Sequence, residues 1–93
     1  MYGVHINKDA LKYINSLTEK SERLVKRKLE ILKDDPYPGR DDKKKLQLPD
    51  YDLFRMHVGR SFTIFYRIYE AEKVVKVLDI MTIEKAHKRY GRL

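Results

Sequence analysis

The sequence predicts an α+β fold. Residues 1–93 read as a single small domain in the order β-α-α-β-β-β, with an antiparallel-rich sheet, a helical hairpin on one face and a basic C-terminal tail. Three observations predict it. Apolar residues recur twice at helical spacing in the first third of the chain. They alternate at period two through the second half. The length, 93 residues, suffices for one hydrophobic core of modest depth.

The elements follow in order. In Tyr2-Gly3-Val4-His5-Ile6 the residues Tyr2, Val4 and Ile6 share one face, which reads as a short first strand. Asn7 can cap a helix with Asp9 in its first turn. Ala10, Leu11, Ile14 and Leu17 then fall at helical spacing. Thr18 to Ser21 is a polar break. A second helix follows, with Leu24, Val25, Leu29 and Leu32 as its apolar stripe and Arg23, Lys26, Arg27, Lys28 and Lys33 on its other side. So short a break predicts an antiparallel helical hairpin. Pro36 ends the second helix and Pro38-Gly39 signals a turn. Residues 40–45, RDDKKK, read as a charged connector, and Leu46 to Pro49 as a brief extended piece.

The next two strands form a hairpin whose register can be argued. Phe54, Met56 and Val58 alternate with Arg55 and His57; Phe62, Ile64, Tyr66 and Ile68 alternate with Thr63, Phe65 and Arg67. A two-residue turn would put cations and core residues on one face. A loop of Gly59, Arg60 and Ser61 pairs Val58 with Phe62, Met56 with Ile64 and Phe54 with Tyr66, so the apolar faces coincide. Burial should select it, because a one-residue slip turns every side chain to the opposite face. Arg55, His57, Thr63, Phe65 and Arg67 then share the other face. Glu70 to Lys73 make the next turn. Val74 to Met81, apolar on both faces, read as a central strand. Residues 84–93, EKAHKRYGRL, are a basic tail with about one helical turn.

Composition narrows the function. Net charge is +7, and its plainest use is binding a polyanion. Cysteine is absent, which excludes disulfides and thiolate metal sites and fits a reducing cytoplasm, the expected location. No apolar run reaches the ~20 residues of a membrane span. The N-terminus has neither the basic nor the apolar region of a secretion signal. His5, His57 and His87 lack metal-ligand spacing, the glycines are scattered singly, and no nucleophilic triad is present. No metal and no cofactor are expected.

The cations instead form a face. Alternation on one strand sets the tips of Arg55 and His57 roughly 7 Å apart, which suits successive groups of a phosphodiester. From Lys85 onward the tail holds Lys85, His87, Lys88, Arg89 and Arg92 and no acid. Phe65 and Tyr90 offer planes on which bases could stack. These residues suit metal-free RNA cleavage, in which the 2′-OH attacks the adjacent phosphorus. A base takes its proton, cations stabilise the phosphorane and an acid protonates the leaving 5′-oxygen. His57 is the proton-transfer candidate and Arg55 the phosphate stabiliser. Lys85, His87 or Tyr90 is the acid; a Lys or Tyr acting as base would need its pKa depressed by neighbouring cations. The expected catalytic residues are thus Arg55, His57, Lys85 and Tyr90. The expected RNA contacts are Lys43, Lys44, Lys45, Arg60, Arg67, His87, Lys88 and Arg89.

The helix end LEILKDDPYPG, the segment KKKLQLPDYDLFRMHVGRSFTIFYRI, the strand VVKVLDIM and the basic, Tyr-containing tail, in this order and spacing, resemble the RelE/ParE superfamily of type II toxin–antitoxin toxins. The resemblance covers nearly the whole chain. It implies a ribosome-dependent mRNA endonuclease and a cognate antitoxin that covers the basic face. By position, Arg55 and His57 match the family's alternating basic pair, Tyr90 its C-terminal tyrosine, and Lys85 the basic residue before it. Thr63 departs from the pattern, since many members carry an arginine there. The resemblance also leaves open a ParE-like DNA gyrase inhibitor or a catalytically weak RNA-binding member.

Overall fold

Asn7, Thr18 and Thr82 each start a helix, and each does so with a side-chain oxygen. In the computed structural model, which describes residues 1–39 and 43–91, Asn7 Oδ1 accepts from the Asp9 amide at 3.0 Å, Thr18 Oγ1 from Ser21 at 3.3 Å and Thr82 Oγ1 from Lys85 at 3.2 Å. They open α1 (Lys8–Ser16), α2 (Glu19–Asp34) and α3 (Ile83–Tyr90). The strands are β1 (Gly3–Ile6), β2 (Lys43–Leu46), β3 (Leu53–Val58), β4 (Phe62–Tyr69) and β5 (Val74–Thr82). Residues 40–42 of the expected connector, and Arg92, lie outside the described residues.

The five strands form one sheet in the order β1-β5-β4-β3-β2. β1 runs parallel to β5 and every other pairing is antiparallel. The α+β class and the helical hairpin on one face hold. Three elements correct the expectation. Lys43 to Leu46 form an edge strand rather than a connector, because the backbone of β3 pairs them despite their charge; lysines suit an edge that must not recruit another chain. The tail is a full helix, α3, with a complete boundary signature. Thr82 is its cap, Glu84 lies in its first turn, His87, Lys88 and Arg89 lie in its last, and Gly91 follows at φ 75°. β5 is interior but not central; β4 takes the middle position.

The hairpin register agrees with the burial argument. Val58 pairs with Phe62, Met56 with Ile64 and Phe54 with Tyr66, across a loop of Gly59, Arg60 and Ser61 in which Gly59 has φ 58°. The inner face of the sheet packs Met56, Ile64, Tyr66, Val75 and Val77 against Ala10 and Ile14 of α1 and Val25, Leu29 and Leu32 of α2. Leu11 and Leu24, expected in the helical stripes, are 45% and 41% exposed. Each is one residue, about 100° of helical rotation, away from the line of residues that meets the sheet. A register shift between Phe65 and Tyr66 lets β5 bury Val77 and Ile80 on the same side.

Two polar anchors hold the loops. Tyr66 OH donates to the Pro36 carbonyl at 2.7 Å, and burial pushes this hydroxyl's pKa well above the usual range. Tyr2 and Tyr37 each donate at 2.6 Å to Glu70, which also pairs with Lys73. The Lys73, Tyr2 and Tyr37 hydrogen bonds, in that order, hold the Glu70 carboxyl at about 2. Together they tie the N-terminus, the turn after α2 and the β4–β5 turn to one another.

The positive φ at Gly59 makes a prediction. Gly59→Val should cost about 1–2 kcal/mol in urea unfolding, since a β-branched residue strains the left-handed region. Gly59→Asn should cost clearly less. Equal costs for the two would mean that backbone conformation does not fix this loop.

Candidate functional site

The expected cationic pair lies on the outer face of the sheet, opposite α1 and α2. Cross-strand pairing builds it in rows. One row runs Lys44, Arg55, Phe65, Asp79 and the next His57, Thr63, Met81. Residues opposite one another in a sheet share a face. Lys44 is therefore the one of the three connector lysines that stands beside Arg55. Lys43 and Lys45 pair with Met56 and Phe54 and belong to the inner side.

This outer face is not an open basic surface. Leu53, Phe65, Met81 and Ala86 form a second small core, flanked by Leu46, Leu48, Leu78 and Tyr90. α3 covers it, and the helix is fixed to the hairpin by a hydrogen bond from the Ile83 amide to the Ser61 carbonyl at 3.0 Å. Arg55 is consequently only 9% exposed, and His57 is half-buried at the rim. Phe65 is buried against the Tyr90 ring, with 4.6 Å between centroids, so Phe65 presents no plane on which a base could stack.

The remaining expected residues are dispersed around this core. Lys85 lines a cleft of about 380 Å³ with Asp9, Tyr13, Asp79, Thr82 and Arg89, on the α1 side of β5. β4 separates that strand from β3, roughly 10 Å away, so Lys85 and Arg89 do not meet His57. Arg89 pairs with Asp79 at 2.8 Å. His87 and Lys88 are exposed on α3, and a 100° step per residue turns His87 to the flank of the helix away from Lys85. Arg60 is exposed in the hairpin loop. Arg67 is half-buried, 4.6 Å from the Tyr51 ring centroid and 5.4 Å from that of Tyr69.

One assignment needs correction. Lys43 is not a surface contact. Its side chain is fully buried, donating to the Asp35 carbonyl at 2.6 Å with the Asp35 carboxylate at 3.3 Å, because a lysine on the inner side of an edge strand must find acceptors within the fold. Burial raises the pKa of Tyr90, and the charge of Arg89 only partly offsets this, which suits the acid role and not that of a base. Thr63, set on this face by the hairpin register, is the polar neighbour of His57. It is fully buried, with Oγ1 at 3.0 Å from His57 Nδ1. The loop length that sets Thr63 opposite His57 already contained this pair.

A sequence model of the ParE toxin of the type II toxin–antitoxin system parDE matches residues 4–86. The chain belongs to this toxin family. Its fold is similar to RelE in the archaeal RelE–RelB complex of Pyrococcus horikoshii OT3, with 29% identity, TM-score 0.74, and 87% of this chain and 93% of that one covered. It is also similar to a chain of the RelBE2 toxin–antitoxin complex of Mycobacterium tuberculosis, with 20% identity, TM-score 0.75 and coverages of 87% and 96%. A third likeness is to a chain of the YoeB–YefM complex of Staphylococcus aureus, with 12% identity, TM-score 0.67 and coverages of 87% and 95%. Among curated protein sequences, none matches significantly. No helix among the described residues is long and apolar enough to cross a membrane.

The neighbouring lysines Lys43 and Lys44 differ in burial, and their contributions can be separated. Lys43→Ala should destabilise the toxin by about 1.5–3 kcal/mol, through the loss of a buried charged donor and its hydrogen bond to the Asp35 carbonyl. It should leave the salt dependence of RNA binding unchanged. Lys44→Ala should hardly change stability but lower the slope of log K against log salt by about 0.7, the value for one phosphate contact on a single strand. Denaturant titration and filter binding across a salt series measure the two effects.

Proposed function

We propose that this toxin is a metal-independent, ribosome-dependent endoribonuclease that cleaves mRNA and is restrained in the cytoplasm by a cognate antitoxin. The observation that carries the reading is the gathering of Lys44, Arg55 and His57 on one face of the β2–β3–β4 sheet, at the rim of the core that α3 closes. Similarity to toxins solved as RelE–RelB and YoeB–YefM complexes supports the antitoxin as partner.

The chemistry follows from the burial of each group. The 2′-hydroxyl of the RNA loses its proton to water as its oxygen attacks the neighbouring phosphorus, the bond to the 5′-oxygen breaks as that oxygen takes a proton from a donor on α3 or from water, and a 2′,3′-cyclic phosphate and a 5′-hydroxyl result. Negative charge grows on the phosphorane oxygens. Arg55, set low in the face, acts mainly through its field, which is strong where water is excluded. Lys44, exposed beside it, meets the phosphate directly. His57, half-buried, reaches the reacting groups and holds or passes a proton. Tyr90 and His87 on α3 supply further donors, while Lys85 and Arg89, on the other side, extend the basic track for the strand.

A second reading has an observation in its favour. The matching family model is that of ParE, and a largely buried Arg55 suits a protein that binds, rather than cuts, its target. Such a toxin would inhibit DNA gyrase. Expression under tight control, with mapping of mRNA 5′ ends, separates the two. The nuclease reading expects cuts phased to codons and a loss of about 10²-fold or more in cleavage for His57→Ala. Growth arrest without phased cuts, together with inhibition of supercoiling by the purified protein, would replace it with the gyrase reading.

A further inference from the structure

Thr63 stands where an arginine is common in the superfamily, and its surroundings assign it a different task. The residue is fully buried on the middle strand, between His57 on β3 and Met81 on β5. A buried hydroxyl must place its proton on an acceptor. Among the described residues its one hydrogen-bond partner is His57 Nδ1, at 3.0 Å. The Thr63 hydroxyl therefore donates and Nδ1 accepts. A neutral imidazole whose Nδ1 accepts carries its proton on Nε2.

We propose that Thr63 is a positioning residue that holds neutral His57 as the Nε2–H tautomer and fixes its ring in the rim of the site. This inference rests on the nuclease reading only for its consequence. With Nδ1 engaged by Thr63, Nε2 of His57 bears a proton in both the neutral and the cationic ring. His57 then donates a hydrogen bond to the phosphoryl group and does not take the 2′-hydroxyl proton. A neutral imidazole can act in this way because a preorganised donor stabilises developing charge without giving up its proton.

The hairpin makes this pairing rigid. His57 and Thr63 are direct cross-strand partners, three residues from each end of the chain reversal at Arg60, and the loop of Gly59, Arg60 and Ser61 permits no slip that keeps the inner core buried. Both strands are covered on the inner face by the main core, so neither side chain can exchange faces.

The test uses purified, 15N-labelled full-length toxin. Long-range 15N–1H spectra of the imidazoles, with the His57 signals identified by comparison with His57→Gln, are recorded at a pH where the ring is neutral. The parent and Thr63→Ser should show an unprotonated Nδ1 and a protonated Nε2; Thr63→Val, which keeps the shape but not the hydroxyl, should show averaging of the two tautomers. A parent His57 protonated at Nδ1, or an unchanged tautomer in Thr63→Val, overturns the proposal. Single-turnover cleavage of ribosome-bound mRNA by the same proteins tests the consequence. Thr63→Val should lower the rate by about tenfold with little change in KM, through loss of ring orientation, and Thr63→Ser should restore it. If the tautomer shifts as expected while Thr63→Val cuts at the parental rate, the positioning of the ring stands and the use of His57 in cleavage fails.

Discussion

With Gly59 in the left-handed region, the loop of Gly59, Arg60 and Ser61 closes the β3–β4 hairpin in one register, and that register decides the face of every side chain on two strands. Shifted by one residue, Arg55 and His57 would enter the main core, while Met56 and Ile64, now 1% and 0% exposed, would face outward. The burial of large apolar side chains is worth about 1.5–3 kcal/mol each, so the alternative is ruled out by several residues at once. The position of the polar pair His57 and Thr63 is a consequence of apolar packing on the opposite face.

The outer face shows a second constraint. A five-stranded sheet with helices on one side only would leave Leu53, Phe65 and Met81 in water. α3 closes this gap with two residues one turn apart, Ala86 and Tyr90. The cost is that the cations beneath it are partly buried. The benefit is electrostatic, since a charge at the edge of a dry region acts on a nearby phosphate more strongly than the same charge in water. Phe65 and Tyr90, which look like base-stacking planes in the sequence, serve as the floor and lid of a small core.

The fold was legible where apolar periodicity was strong. Both first helices, the hairpin and β5 are written in alternation or helical spacing, and even the loop length follows from demanding that two apolar faces coincide. The misses share a cause. KKKL has no strand-like pattern, and Lys43 to Leu46 are held by backbone pairing with β3, a tertiary effect that side-chain pattern does not record. α3 is legible in Thr82, Glu84 and the basic last turn, a capping signature embedded in a run of cations that by charge alone reads as a solvated tail. For the site, Arg55 and His57 were readable as a pair. The burial of Lys43, the stacking of Tyr90 on Phe65 and the separation of Lys85 from His57 depend on where β2 and α3 pack, which charge alone does not reveal.

The central claim is that this face of the sheet acts on an RNA phosphate through the RNA's own 2′-hydroxyl. The end groups of the fragments test it most directly. Purified toxin acting on ribosome-bound mRNA should leave a 2′,3′-cyclic phosphate upstream of each cut and a 5′-hydroxyl downstream, and a single 2′-deoxy nucleotide at the cut should abolish cleavage there. Cleavage that survives the deoxy substitution, 5′-phosphate ends, or the absence of any cut would contradict the account.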